Sequence, residues 1–221
     1  MSNENKQVVI VDYQLGNMFS VRHACRHVGM EVKLSSDPGT IEDASALILP
    51  GVGAFREAME HIHRLKLYDV IRNSIKDKKP FFGVCLGLQL LFEKSEEFGQ
   101  TEGLGIIPGQ VKRFDNLLPE DSKVKIPHVG WSEIRKKNED DWKRTSLSSI
   151  DEGSHFYFVH SFVVEPALPE HILCVTKYGG IEFVSGVKIN DNAIATQFHP
   201  EKSGEKGLEI YRNWANKHDL I

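Results

Sequence analysis

Cysteine is scarce in this chain. Its 221 residues hold three, Cys25, Cys85 and Cys174, widely spaced and without a CxxC pair. That excludes a disulfide framework and gives no zinc pattern, so no metal is expected and a reducing compartment, the cytoplasm, is. Long apolar runs are also missing. No stretch approaches the roughly 18 residues of a membrane span, and the amino-terminal MSNENKQ has no apolar signal segment. There is no block of lysine or arginine, and the net charge is -4. Neither nucleic acid nor a membrane is therefore an expected partner. Internal repeats, low-complexity segments and a Walker-type phosphate loop are absent as well.

What remains reads as a soluble α/β domain. The length suits one large domain with a full core, expected over residues 8–221 behind a disordered tail at 1–7. VVIVD (8–12), ALILP (46–50) and PFFGV (80–84) are short continuous apolar runs ending in turn residues, the pattern of strands buried on both faces. Between them lie helical spacings: Val21, Cys25 and Val28, then Phe55, Met59 and Ile62, then Leu67, Val70, Ile71 and Ile75. Alternation of this kind predicts a mostly parallel sheet flanked by helices. From about residue 110 the chain turns strand-rich, through QVKRF, KIPHVGWSEI, HFYFVHSFVVE, HILCVTKY, GIEFVSGVKI and NAIATQFHP, which predicts an additional antiparallel region. Residues 136–153 read as a polar loop, and a final helix is expected from Glu205 to His218.

Three stretches carry possible chemistry. Cys85 sits in FFGVCLGLQLLF with Gly83 and Gly87 two positions to either side. A buried free cysteine is ordinarily core packing. A strand-to-helix turn flanked by glycines, however, can lift a nucleophile clear of the backbone. If LGLQLLFEK opens a helix, its dipole and first N–H groups favour a thiolate and an oxyanion, with Leu86 as the natural donor. Of the ten histidines, His199 stands out because it closes NAIATQF and is followed by Pro200 and Glu201. Histidine followed two residues later by glutamate can aim an imidazole and its orienting carboxylate into one site. PGVG at 50–53 is either a simple turn or a loop whose glycines let a peptide N–H rotate toward an oxyanion.

Together, and in this order, PGVG, GVCLGLQLL and QFHPEKS resemble the class I (triad) glutamine amidotransferases. Within that family, DYQLGNMFSV, GLGIIPGQV, KIPHVGWSEI and FYFVHSF are similar to the glutaminase subunits of imidazole glycerol phosphate synthases, over nearly the whole chain. The resemblance implies an enzyme with a Cys85, His199, Glu201 triad and an oxyanion site at Val52 and Leu86. It also implies glutamine-binding positions Gly53, Gln89, Ser161 and Phe162, and partner-interface positions Asn17, Trp131, Tyr157 and Lys202. No cofactor is implied. The partner would be a (β/α)8-barrel cyclase that receives ammonia in a heterodimer and makes imidazole glycerol phosphate and AICAR in histidine biosynthesis.

Two departures from the family pattern stand out: VHSF replaces VHSY, where Phe162 keeps a backbone contact and loses a hydroxyl, and Gln14, near the expected partner face, stands where a small residue is common. Gln14 leaves open a paralogous glutaminase that feeds a sugar amidotransferase in surface polysaccharide synthesis. Rivals from other classes fit less well. An α/β-hydrolase places its acid before its histidine, and an inactive scaffold would be expected to have lost a triad member.

Overall fold

A run of four to six apolar residues must cover both its faces, and here a single sheet between two helical layers does so. The computed structural model describes residues 6–119, 122, 124–138 and 142–221; most of the expected tail lies outside these. β1 (Val8–Val11), β3 (Ala46–Gly51) and β4 (Phe81–Cys85) are the three apolar runs, and every residue in them is buried. β2 (Val32–Ser35), half-exposed in composition and unrecognised in the sequence, pairs parallel to the outer side of β1. Successive strand side chains point to opposite faces. Val8 and Ile10 thus enter one core with Val21 and Cys25 of α1 (Met18–His27), while Val9 and Val11 enter the other with Phe55 and Ile62 of α3 (Phe55–Arg64) and Ile71 of α4 (Tyr68–Lys76). Asn17 caps α1 by accepting from Ser20 N at 3.3 Å, and Asp37 caps the short α2 (Pro38–Glu42) by accepting from Thr40 N at 2.8 Å.

After β4 comes α5 (Leu86–Gln89), a single turn, and the chain then re-enters the sheet as β5 (Phe92–Ser95). The helix expected over LGLQLLFEK is therefore corrected to one turn. The carbonyls of Leu90, Leu91 and Phe92 accept from the N–H groups of Leu104, Ile106, Ile107 and Gly105, so the ladder with the returning chain displaces further helical bonds. β6 (Thr101–Glu102) and β7 (Ile107–Arg113) follow; β8 (His128–Glu133) and β9 (His155–His160) form a separate antiparallel hairpin. β10 (Phe162–Pro166), β11 (Ile172–Tyr178), β12 (Ile181–Asn190) and β13 (Ala193–Thr196) complete an eleven-stranded sheet ordered β2-β1-β3-β4-β13-β12-β10-β7-β5-β6, with β11 also on β12. β12 is antiparallel to β13, β10 and β11, the antiparallel region expected of the second half.

α6 (Gly204–Lys217), within one residue of its expected bounds, seals the first core. Tyr211 and Trp214 pack on Phe82 with ring centroids 5.2 and 5.8 Å away. Such pairs contribute about 0.5–1.5 kcal/mol each beyond burial. The polar stretch 136–153, whose residues 139–141 lie outside the described ones, is better anchored than a loop reading suggests. Trp142, Leu147 and Ile150 are core residues, and Trp142 Nε1 donates to Leu173 O at 2.9 Å.

Because β1, β3, β4 and β13 run parallel, the segments that follow them emerge on one edge of the sheet. Those segments are 12–17, 52–54, 86–89 and 197–203, and ligands of open α/β sheets bind at this edge.

Candidate active site

Cys85 closes β4 with φ 55° and ψ −106°, a left-handed conformation that a side-chain-bearing residue adopts only under constraint. The glycines beside it permit the constraint. A Cβ on Gly87 would lie 1.8 Å from Leu49 O, and one on Gly83 would lie 2.7 Å from the Cβ of Ala195. The turn is thereby pressed onto β3 and β13, and the Cys85 thiol is turned to the sheet edge with only 6% exposure. Leu86 opens α5, so its N–H has no intrahelical partner.

The pairing of β13 with β4, Thr196 beside Val84, brings the next residues of both strands together. Gln197 Nε2 donates to Cys85 Sγ at 3.6 Å. Two residues on, His199 is buried, with Nδ1 2.7 Å from Glu201 Oε1. The carboxylate fixes Nδ1 as the protonated nitrogen and leaves Nε2 for other chemistry. Burial by itself pulls the His199 pKa down. The charge and hydrogen bonding of Cys85, followed by those of Glu201, outweigh it and push the imidazole up to about 10. A positively charged imidazole beside a cysteine is an arrangement that favours the reactive form of the thiol.

A cleft of about 350 Å³ opens onto the thiol, and Val52, Gly53, Leu86, Gln89, Ser161 and Phe162 all line it with Cys85. Gln89 spends its amide on Phe162 O at 3.2 Å and Gln197 Oε1 at 3.1 Å, so what it can offer a ligand is its acceptor oxygen. Trp131, Tyr157 and Lys202 form a second group: the two rings meet edge-on at 6.1 Å and Lys202 Nζ lies 5.9 Å from the Tyr157 ring centroid. Trp131 is 55% exposed. Tyr157 is joined to the histidine main chain by a closed loop of bonds. His199 N donates to Tyr157 O, Tyr157 N donates to Ser203 Oγ, and Ser203 Oγ donates to His199 O. Asn17 stands apart as the α1 cap, on a helix that packs against the turn carrying Glu201.

Glu97, His128 and His160 went unrecognised in the sequence. Glu97 lines the cleft and accepts from Phe55 N at 2.7 Å. Burial pushes its carboxyl up, against the lowering effect of that N–H. Its setting in EKSEEF reads as a solvated charge run, and only the fold turns it inward. His160 also lines the cleft, at the end of a directional chain. Its Nδ1 donates to Phe162 O at 2.9 Å, its Nε2 accepts from His128 Nδ1 at 3.0 Å, and His128 Nε2 accepts from Ser132 Oγ at 2.9 Å. Since a carbonyl only accepts, both tautomers follow from the geometry.

The family model described as "Glutamine amidotransferase class-I" matches residues 9–217. The chain belongs to the class-I glutamine amidotransferase family. Curated relatives of this amidotransferase include imidazole glycerol phosphate synthase subunit HisH of Aquifex aeolicus (strain VF5), 46% identical over 97% of this chain and 99% of that one. HisH of Geobacter metallireducens is 40% identical, over 94% and 97%. Among solved structures, PurLQS from Thermotoga maritima superposes with a TM-score of 0.71 at 19% identity, covering 96% of this chain and 98% of that one. The glutaminase domain of Trypanosoma brucei CTPS does so at 0.65 and 18%, covering 96% and 93%; at these identities the likeness is of fold.

Proposed function

We infer that this amidotransferase is the glutaminase subunit of an imidazole glycerol phosphate synthase and supplies ammonia to a cyclase subunit in histidine biosynthesis. The near-full-length identity to HisH subunits carries that reading. Gln14, the departure that left a sugar-amidotransferase partner open, has a local account: its N–H bonds Asp12 Oδ1 and its side chain accepts from Arg64 Nη2 at 2.6 Å.

L-Glutamine enters the cleft with its side-chain amide at Cys85. Its α-ammonium is matched by Glu97 and the Gln89 oxygen, while Gly53, Ser161 and Phe162 frame the rest. The thiolate adds to the amide carbonyl, and the N–H groups at Val52 and Leu86 hold the oxyanion. Protonated His199 gives its proton to the departing nitrogen, so the C–N bond breaks, ammonia leaves and a glutamyl thioester remains. Neutral His199 then takes a proton from water, whose oxygen displaces the thiolate, and glutamate is released. Glu201 steadies the imidazolium in both steps.

Trp131, Tyr157, Lys202 and Asn17 form the cyclase-facing surface, the partner is a (β/α)8 barrel, and the complex is cytoplasmic. Residues 8–221 act as one domain. Ammonia must reach the acceptor unprotonated, so basal glutamate release is low and rises when the loaded cyclase binds. The test is glutamate release by the chain alone and with cyclase, with and without the cyclase's nucleotide substrate. Activation by the loaded partner and complete loss in Cys85→Ala are expected. Full turnover by Cys85→Ala, or equal rates with and without the loaded partner, sinks the reading.

A further inference from the structure

Tyr13, in the loop after β1, holds a polar group that none of the steps above uses. The residue is fully buried, and its hydroxyl has no hydrogen-bond partner among the described residues. A phenol shut away from water without a partner is disfavoured, because its lost hydration is not replaced. Burial, and after it the charge of Cys85, push the phenol's pKa up, so the group keeps its proton and stays a donor.

Gly51 marks where that donor sits. A Cβ built on Gly51 would lie 1.9 Å from the Tyr13 hydroxyl oxygen, and one built on Gly16 would lie 3.5 Å from the Gly51 Cα. The 12–17 loop thus rests on the main chain that leads into Val52. The same loop is tied to the helix that leaves the PGVG stretch: His61 Nδ1 bonds the Tyr13 carbonyl at 2.8 Å, and Arg64 Nη2 donates to Gln14 Oε1 at 2.6 Å. Tyr13 is therefore fixed against a loop whose glycines leave it free to turn.

We propose that the Tyr13 hydroxyl donates a hydrogen bond to a main-chain carbonyl of the 50–53 loop in its catalytically competent orientation, which makes Tyr13 a positioning residue for the oxyanion site. The N–H and C=O of a peptide point opposite ways, so turning the Val52 N–H toward the oxyanion turns the Gly51 carbonyl away from it. A waiting donor at Gly51 lowers the free energy of that orientation. The assignment rests on the glutaminase reading.

The test is Tyr13→Phe beside wild type, each assembled with its cyclase subunit, with glutaminase kcat and KM, thermal melting and iodoacetamide labelling of Cys85 recorded. Expected are a kcat lower by about tenfold or more, KM within about twofold, unchanged labelling and a melting temperature equal to or above wild type. An unchanged kcat overturns the proposal. So does a kcat loss accompanied by a lower melting temperature, since the hydroxyl would then already be bonded in the resting fold. A wild-type complex that releases no glutamate overturns the glutaminase reading as well, whereas an active wild type matched by Tyr13→Phe removes Tyr13 alone.

Discussion

Individual side chains in this amidotransferase acquire their chemistry from what surrounds them. Cys85 is one of three buried cysteines, yet only Cys85 is held at positive φ on the sheet edge and lines the cleft. Glu97 illustrates the same point in reverse, because a glutamate from a charged stretch becomes a buried carboxyl lining the thiol's cleft. If Glu97 pairs with the α-ammonium of glutamine, Glu97→Gln exchanges a charge-assisted bond for a neutral one. A bond to a charged group contributes about 1.5–3 kcal/mol and a neutral one about 0.5–1.5 kcal/mol, so the exchange loses about 1–1.5 kcal/mol and KM for glutamine is expected to rise by roughly 5- to 15-fold with a smaller change in kcat. Initial rates against glutamine concentration in the cyclase complex measure this, and an unchanged KM excludes the pairing. The motif around Cys85 was legible in the sequence because glycine spacing is local. Glu97 was not, since its partner Phe55 N is 42 residues away.

At the scale of elements, the strand, turn and single helical turn around Cys85 work as one rigid piece. Gly87 is its tightest point, where a Cβ would meet Leu49 O at 1.8 Å and Leu49 C at 2.9 Å. Neither atom can yield without moving β3. Gly87→Ala is therefore expected to lower stability by about 3 kcal/mol and to reduce Cys85 labelling, because the elbow must open. Denaturant unfolding and labelling rates test this, and a stability within about 0.5 kcal/mol of wild type would contradict it. The brevity of α5 also weakens its dipole, because a single turn sums few peptide dipoles, and leaves the charged His199–Glu201 pair as the stronger field beside Cys85. Sequence periodicity could not reveal that brevity. LGLQLLFEK is compatible with a helix, and the ladder that ends it comes from residues 104–107, later in the chain.

Across the whole molecule, the β8–β9 hairpin reaches from the exposed Trp131 to the wall of the cleft beside Cys85 through the buried His128 and His160. His128 stacks on Tyr178 and Phe158 at 3.9 and 4.9 Å, and burial lowers its pKa to about 4. Burial is also the main cause that takes His160 to about 3. Above the ordinary value of 6.5 both imidazoles are neutral whether the chain is folded or not, and stability gains nothing from them. As pH falls below 6.5 the unfolded chain binds these protons while the folded one refuses them down to about 4 and about 3, so stability declines. Each histidine contributes a slope approaching about 1.4 kcal/mol per pH unit. Denaturant melts at pH 7.5, 6 and 5 should show the decline, and His128→Gln should lessen it; a flat profile in the wild type would contradict the assignment of these two as buried neutral groups.

The order of apolar runs and helical spacings determined the sheet and its helical layers. Short buried strands and amphipathic helices have few other ways to hide their faces. The glycine-flanked Cys85 and the His199-x-Glu201 pair likewise stood in the sequence, because each is a local pattern whose spacing is its chemistry. Tertiary structure alone decided which charges turn inward, where α5 stops, and that Tyr13 meets Gly51. Each of those depends on atoms brought together across long stretches of chain, and burial, which sets their protonation and their need for partners, exists only once the chain has closed around them.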